Sequence, residues 1–274
     1  MPLVDAGAIL LAGMAAGTIN TVVGSGTLVT FPTLLVLGYP PLVANMSNNV
    51  GLLPGGLAGA YGYRRELAGH GRLVRRLLPW AFAGGLIGAL MLLVLPPAVF
   101  SAVVPALVLF GLVLVAVGPR LQAWVSGRVA RTAEPAQAVP SASAQGDEEP
   151  GRIPSRHVTV PAAVFFTGVY GGYFGAAQGV ILVGLLSVLL TVGLQSINAV
   201  KNALVPCVNL IAAVLFMTLR WSQIDWLVVL LIGIGSAVGG LIGSHIGRRL
   251  PPPVLRGTIL AVGLFALARL TFYS

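Results

Sequence analysis

The chain has 274 residues, 57% of them hydrophobic and only 8% charged, with 16 Lys and Arg against 7 Asp and Glu for a formal net charge of +9. Mean hydropathy is +0.94, and since a soluble domain carries roughly a quarter charged residues, a soluble globular fold is excluded. The basic residues stand in short groups beside apolar runs, without zinc spacings or RNP-like aromatic motifs, which is the positive-inside pattern of a membrane protein rather than a nucleic-acid surface.

In chain order, runs bounded by charges, Gly or Pro predict ten membrane segments, at 3–23, 26–38, 42–62, 77–95, 98–118, 158–174, 178–193, 197–219, 226–247 and 254–272. No Lys, Arg, Asp or Glu lies between Asp5 and Arg64, nor between Arg76 and Arg120. Met1 to Asp5 lacks the basic stretch that opens a cleaved signal peptide, so the first run is expected to be a retained membrane segment. The second and seventh segments are short. At 1.5 Å per residue, 13 to 16 residues span about 20 to 24 Å against a hydrocarbon core of roughly 30 Å. They are expected to be half-helices packed as a V against the preceding segment, allowed at membrane depth where they are buried in protein or line a cavity. Between the fifth and sixth segments, residues 119–157 are rich in Ala, Pro, Ser and Gln and carry the acidic run Asp147, Glu148, Glu149. Such a stretch buries no core and is expected to be a disordered cytoplasmic linker.

The two sides of that linker repeat one another. Gly84-Gly85-Leu86-Ile87-Gly88 recurs as Gly239-Gly240-Leu241-Ile242-Gly243, and Leu95-Pro96-Pro97 as Leu250-Pro251-Pro252, at an offset of 155; upstream, Gly26, Asn45 and Asn49 match Gly179, Asn198 and Asn202 at 153. The chain therefore divides into a first transmembrane repeat at 1–118 and a second at 158–274. Arg64, Arg65, Arg72, Arg75 and Arg76 follow the third segment, whereas the equivalent position in the second half, Arg220 to Asp225, holds one Arg and one Asp. The Pro-Pro turn shows the opposite bias, bare in the first half and flanked by Arg248, Arg249 and Arg256 in the second. This swap predicts inverted repeats, with loop 64–76 and the linker cytoplasmic and loop 220–225 and both termini outside. The fold class expected is an all-α polytopic membrane protein of two inverted-topology repeats, about five segments each, a plan in which transporter sites lie between the repeats near the midplane.

Polar residues inside apolar segments mark where chemistry is to be sought. All seven asparagines, Asn20, Asn45, Asn48, Asn49, Asn198, Asn202 and Asn209, fall in or beside the first three segments of a repeat. Asn45, Asn48 and Asn49 share one helix face by their spacing, as do Asn198, Lys201 and Asn202. A single buried Asn is ordinarily a hydrogen-bonding strut between helices; two clusters at matched positions favour a ligand site. Gly24-Ser25-Gly26-Thr27 and Ala177-Gln178-Gly179 break their apolar stretches and present helix N-termini, with free N–H groups and the positive end of the dipole, to an anion. Gly13-x-x-x-Gly17 and the repeated Gly-Gly-Leu-Ile-Gly are expected to pack helices. Lys201 is the sole lysine and stands where the other repeat has Asn48; either it snorkels from the start of its segment or it faces the pathway as a fixed charge. The substrate-binding candidates are Asn20, Ser25, Gly26, Asn45, Asn48, Asn49, Gln178, Gly179, Asn198, Lys201 and Asn202. No catalytic or metal-binding set is expected: His70, His157 and His245 are scattered, Cys207 is the only cysteine, and no Ser/His/Asp, HExxH or Walker-type arrangement occurs. No cofactor is expected either.

The run from Gly17 through Thr18, Ile19, Asn20, Thr21, Val22, Val23, Gly24, Ser25, Gly26 and Thr27 to Pro32, with Ala44-Asn45-Met46-Ser47-Asn48 after it, resembles the TauE/SafE sulfite exporter family. Tyr170-Gly171-Gly172-Tyr173-Phe174-Gly175-Ala176-Ala177-Gln178-Gly179 and Asn198-Ala199-Val200-Lys201-Asn202 are similar to its second-half signature. The family's usual Gly-x-Gly-Gly-Gly break is replaced here by Gly24-Ser25-Gly26 and Ala177-Gln178-Gly179. The resemblance implies a multi-pass permease that moves sulfite, a sulfonate or a similar small anion across the cytoplasmic membrane, with H+ or Na+ as a coupling ion and a homo-oligomer compatible with it. From the residues alone, two rivals stand beside an anion transporter: a non-transporting scaffold or sensor, and a cation transporter, which the charge of Lys201 opposes.

Overall fold

A computed structural model describes residues 1–133, 158–190, 192–245 and 252–272, and among these residues all regular structure is helical. The first half comprises α1 (Leu3–Val22), α2 (Thr27–Val36), α3 (Pro41–Gly62), the short α4 (Arg64–Ala68), α5 (Gly71–Val94) and α6 (Pro97–Ala133). The second comprises α7 (Thr159–Tyr173), α8 (Gln178–Leu189), α9 (Leu194–Leu219), α10 (Trp226–His245) and α11 (Pro252–Phe272). A helix lies at each of the ten expected segments, and α1, α5, α9, α10 and the Pro97–Gly118 part of α6 are each long and apolar enough to cross a bilayer. Prolines open α3 and α6, where a missing N–H costs nothing.

Two boundaries differ from expectation. α5 begins at Gly71, so Arg72, Arg75 and Arg76 belong to its first turns rather than to a loop. The sequence places the start of a disordered linker at residue 119, but α6 continues to Ala133; a helix that leaves the membrane keeps its backbone bonds after its hydropathy has gone. The rest of the expected linker, 134–157, lies outside the described residues.

Close glycine contacts set which helices pair. A Cβ on Gly13 would stand 3.0 Å from the backbone of Ile232, and one on Gly17 would overlap that of Ser236, so α1 and α10 run side by side in the same direction. Gly84 and Gly88 meet the backbone of α7 at Phe165 and Val169, and Gly239 and Gly243 meet that of α1 at Met14 and Thr18. Gly85 lies against Val208 of α9 and Gly240 against Gly55 of α3. The repeated Gly-Gly-Leu-Ile-Gly thus performs the same packing task in each half, and each time against the opposite half. In lipid, where apolar burial gives helices little reason to associate, such backbone approach supplies the van der Waals contact that does. Large apolar side chains such as Phe82, Leu109, Phe110, Leu230 and Ile234 stay exposed on the outer faces.

The half-helices return toward the face they came from. Tyr39 Oη, just past α2, donates to Met1 Sδ at 3.4 Å, which brings the open ends of α1 and α2 together. Burial, with help from the Asp225 and Asp5 carboxylates, pushes the Tyr39 hydroxyl pKa above its ordinary value, so the start of α10 shares that face. In the second V, Val160 and Val164 of α7 share a buried cluster with Leu186 and Leu190 at the end of α8. That cluster also holds Leu77, Ile197 and Val200 from the early turns of α5 and α9, while Arg220 beyond α9 donates to the Leu93 carbonyl near the end of α5 at 3.2 Å. α5 and α9 therefore run parallel, and the α4–α5 turn and the 220–225 turn lie at opposite ends of them.

Candidate functional site at the crossing of two helix breaks

Each V has its tip at a left-handed glycine. The N–H groups of Val23 and Gly24 both return to the Ile19 carbonyl, at 2.7 and 3.0 Å, and Gly24 then turns the chain with φ +91°. At the other tip Phe174 and Gly175 return to the Tyr170 carbonyl, and Gly175 (φ +76°) and Ala177 (φ +60°) make the turn. The Tyr170 hydroxyl locks it by donating to the Ala176 carbonyl at 2.6 Å. The two tips touch: Gly179 N–H donates to the Gly24 carbonyl at 2.9 Å. A Cβ on either glycine would fall within 2.6 Å of the other's Cα. The negative ends of α1 and α7 and the positive ends of α2 and α8 are thereby gathered into one small volume.

Lys201 enters that volume fully buried, with 1% exposure. Its Nζ donates to the carbonyls of Asn20 at 2.9 Å and Thr21 at 3.0 Å, and Asn202 Nδ2 donates to Thr21 at 3.1 Å. These are last-turn carbonyls of α1, which lack helical partners and carry the dipole's negative charge. Lys201 therefore does not snorkel: its Nζ is held by two backbone carbonyls where the two breaks meet. The other repeat uses a neutral group for the same task, Asn45 Nδ2 donating to the Tyr173 carbonyl at the end of α7 at 3.2 Å. Residue 173 matches residue 20 at the offset of 153. One tip is capped by a lysine and one by an amide, so only one of the two caps is ionisable.

The remaining candidates divide. Ser25 and Gln178, themselves 153 apart, are 1% and 2% exposed, and Ser25 Oγ and Gln178 Oε1 have no hydrogen-bond partner. Buried polar atoms are nearly always paired, so two orphans at matched positions beside touching helix N-termini point to a ligand. Gly26 and Gly179 flank them at the starts of α2 and α8 and are buried. Asn48 Oδ1 accepts from Thr30 Oγ1 within the first repeat, which ties α3 to α2. Asn49 is half-buried with Oδ1 unpartnered. Asn198 is half-buried near the start of α9, and Asn20 contributes its carbonyl. Thr21, Thr30 and Tyr173, absent from the candidates, are part of this junction. Thr21 and Tyr173 enter through main-chain oxygens, which every residue has and no pattern marks; Thr30 was open to detection, as a hydroxyl one helical turn from Gly26.

Comparison with known proteins agrees with this architecture. The family model described as Sulfite exporter TauE/SafE matches residues 9–270. A protein of Haemophilus influenzae named "Probable membrane transporter protein" is 25% identical over 260 residues, covering 95% of this chain and 92% of the relative. One from Sinorhizobium sp., "Probable membrane transporter protein ORF9", is 24% identical over 265 residues, covering 96% and 90%. No solved structure matches the chain. With a match that spans nearly all of its helices and relatives named as transporters along their whole length, this multi-pass membrane protein belongs to the TauE/SafE family of membrane transporters.

Proposed function

We propose that the protein moves a small anion, sulfite, a sulfonate or a related organic anion, by alternating access between two inverted repeats. The observation that carries the reading is the meeting of the positive ends of α2 and α8 at the Gly24–Gly179 contact, which the stem of Lys201 passes, with two buried polar side chains at the same helix starts: Ser25, whose unpartnered Oγ can donate to an anion, and Gln178, which can do so through its amide Nε2. The positive ends of the α2 and α8 dipoles and a cation attract negative charge, although the N–H groups of Gln178, Gly179 and Val180 at the start of α8 are already bonded to the Gly175, Gly24 and Ala177 carbonyls. A cation in the same place meets the Lys201 side chain, and the helix-end carbonyls that would draw it in, Asn20, Thr21 and Tyr173, are already taken by Lys201 and Asn45. Flux of a panel of sulfur oxyanions and sulfonates in proteoliposomes tests the proposal, and a protein that carries none of them while carrying a cation would sink it.

The two side chains have no protein partner to lose, so their removal separates binding from folding. Ser25→Ala and Gln178→Leu are each expected to raise the KM of the transported anion about 5- to 100-fold, the cost of one or two lost hydrogen bonds in a dry site. Thermal stability in detergent should stay within about 1 kcal/mol of wild type. Unchanged KM in both variants would place the anion elsewhere.

Inversion is supported by the reciprocal helix pairs, α1 with α10 and α5 with α7, and by the two V shapes whose tips meet. With the arginine bias setting absolute orientation, Ala68 is expected to face the cytoplasm and Ser222 the outside. Both are exposed. Single cysteines at these positions, with Cys207 replaced, should react with an impermeant maleimide from opposite sides of sealed membranes; reaction from one side would end the inverted-repeat scheme.

A further inference from the structure

We propose that the anion crosses together with one proton, and that this proton rides on Lys201 Nζ. The inference rests on the anion reading above and adds the coupling ion to it. Among the described residues, Lys201 is the one Lys, Arg, Asp, Glu or His that is buried, and it lies where the two broken helices touch. Its stem passes the contact itself, Cδ standing 3.2 Å from where a Cβ on Gly24 would lie and 3.0 Å from one on Gly179.

The elements around it offer no competing proton carrier; α5, packed on α9 through Gly85, brings only Arg72, Arg75 and Arg76 in its first turns, and guanidinium groups keep their protons. α1 brings Asp5, 16 residues and about 24 Å of helix from Thr21. α2 and α8 have no ionisable residue, and α3 has only Tyr61, exposed near its far end. α7 brings Tyr173 and Tyr170, whose hydroxyl is committed to the Ala176 carbonyl. α9 itself adds Cys207, half-buried and six residues on, and α10 ends at the exposed His245. Asp225 caps the first turn of α10, its Oδ1 accepting from Leu227 and Val228 at 3.0 Å, while Glu66 belongs to α4 beyond the end of α3. Among the described residues no carboxylate is at the depth where a proton relay needs one.

The cycle follows from charge. An anion at the junction is balanced by the ammonium, so the loaded site travels with its proton. When the anion leaves, the positive charge remains on two carbonyls of α1, which belong to the opposite repeat from α9. Return of the empty site breaks or drags those bonds. It proceeds once one Nζ–H bond has broken, the proton passing to water on the open side and the electron pair remaining on a neutral amine; the reverse step on the other side reloads it. Nothing is oxidised or reduced, and one proton accompanies each anion in the direction the combined gradients dictate.

Purified protein in proteoliposomes containing a pH-reporting dye tests this with two probes, radiolabelled sulfite and isethionate. Isethionate is a sulfonate that stays ionised at any working pH, so a proton that enters with it has been carried by the protein. The expected result is about one proton per isethionate, uphill uptake of either probe driven by an imposed pH gradient, and no response to a sodium gradient. In Lys201→Arg, whose guanidinium keeps its proton, slowed anion-for-anion exchange is expected with proton entry per anion reduced at least about tenfold. Should that variant carry no flux, calorimetry of isethionate binding to wild type in two buffers of different ionisation enthalpy decides. Proton uptake that grows as pH is raised supports Lys201 as carrier, and none overturns it. Anion flux without protons, or proton entry undiminished in active Lys201→Arg, overturns the inference while leaving the anion reading intact. Uptake of neither probe removes both.

Discussion

Gly24→Ala and Gly179→Ala are each expected to give protein that fails to accumulate in a monodisperse, folded form. The added methyl at Gly24 lands 2.6 Å from Gly179 Cα and 2.8 Å from its carbonyl carbon, and at Gly179 it lands 2.5 Å from Gly24 Cα. Both obstacles are backbone, so no side chain can swing aside, and the tips must part. Parting them breaks the Gly179 N–H to Gly24 carbonyl bond and strains the seating of Lys201 at the same point. Gly24 carries a second penalty, because at φ +91° a Cβ crowds its own chain. Overpacking of about 1 to 3 kcal/mol and a left-handed penalty of about 1 to 2 kcal/mol combine there, against a typical stability of about 5 to 15 kcal/mol. Fluorescence-detected size-exclusion with a temperature ramp measures this. Gly7→Ala, where a Cβ meets nothing within 4 Å, is the control expected to behave as wild type. Wild-type melting and flux in Gly24→Ala would mean that the tips are not in contact in the working protein.

Lys201→Met is expected to abolish measurable transport, a fall of at least about 100-fold, while the protein still inserts. Removing one member of a buried charge pair costs about 3 to 5 kcal/mol, and here the anion is the member left behind. Met keeps the apolar stem, so packing against Gly24 and Gly179 survives. A smaller structural loss accompanies the functional one. Thr21 retains its bond from Asn202 Nδ2, but the Asn20 carbonyl loses Nζ, the donor held at 2.9 Å. One unpaired carbonyl in a dry site costs about 1 to 3 kcal/mol, which a lowered melting temperature should register. Normal flux and affinity at equal expression would leave the anion assignment resting on family membership alone.

The course of the chain through the membrane was largely legible because hydropathy and glycine spacing report directly on burial and close approach. The two breaks, the short helices after them and the packing role of Gly84, Gly88, Gly239 and Gly243 all follow from residue type. Helix ends outside the apolar region were not legible: Arg72, Arg75 and Arg76 precede a hydrophobic run yet already belong to its helix, and α6 passes Pro119 for the same reason. The candidate site was legible in location and less so in roles. Asn45, Asn48 and Asn202 read as ligand donors, yet Asn45 and Asn202 serve main-chain carbonyls and Asn48 serves Thr30. A polar side chain in a membrane helix announces that it has a partner; whether that partner is a substrate or the end of another helix depends on the crossing geometry, which no local pattern encodes. Ser25 and Gln178 keep unpartnered side-chain atoms although both are buried.

Lys201 caps the end of α1 and Asn45 caps the end of α7, and only one of the two caps is a lysine. Were the halves identical and inverted, exchanging their conformations would map the outward-open protein onto the inward-open one, and the two would be equal in energy by symmetry. A lysine on one side and an amide on the other removes that degeneracy. On the proposed alternating-access cycle, the empty protein then has a preferred resting side, and a substrate must spend part of its binding energy against that preference when it approaches from the disfavoured face. The same anion will show different half-saturating concentrations at the two surfaces, with their ratio set by how differently a charged and a neutral cap hold the ends of α1 and α7.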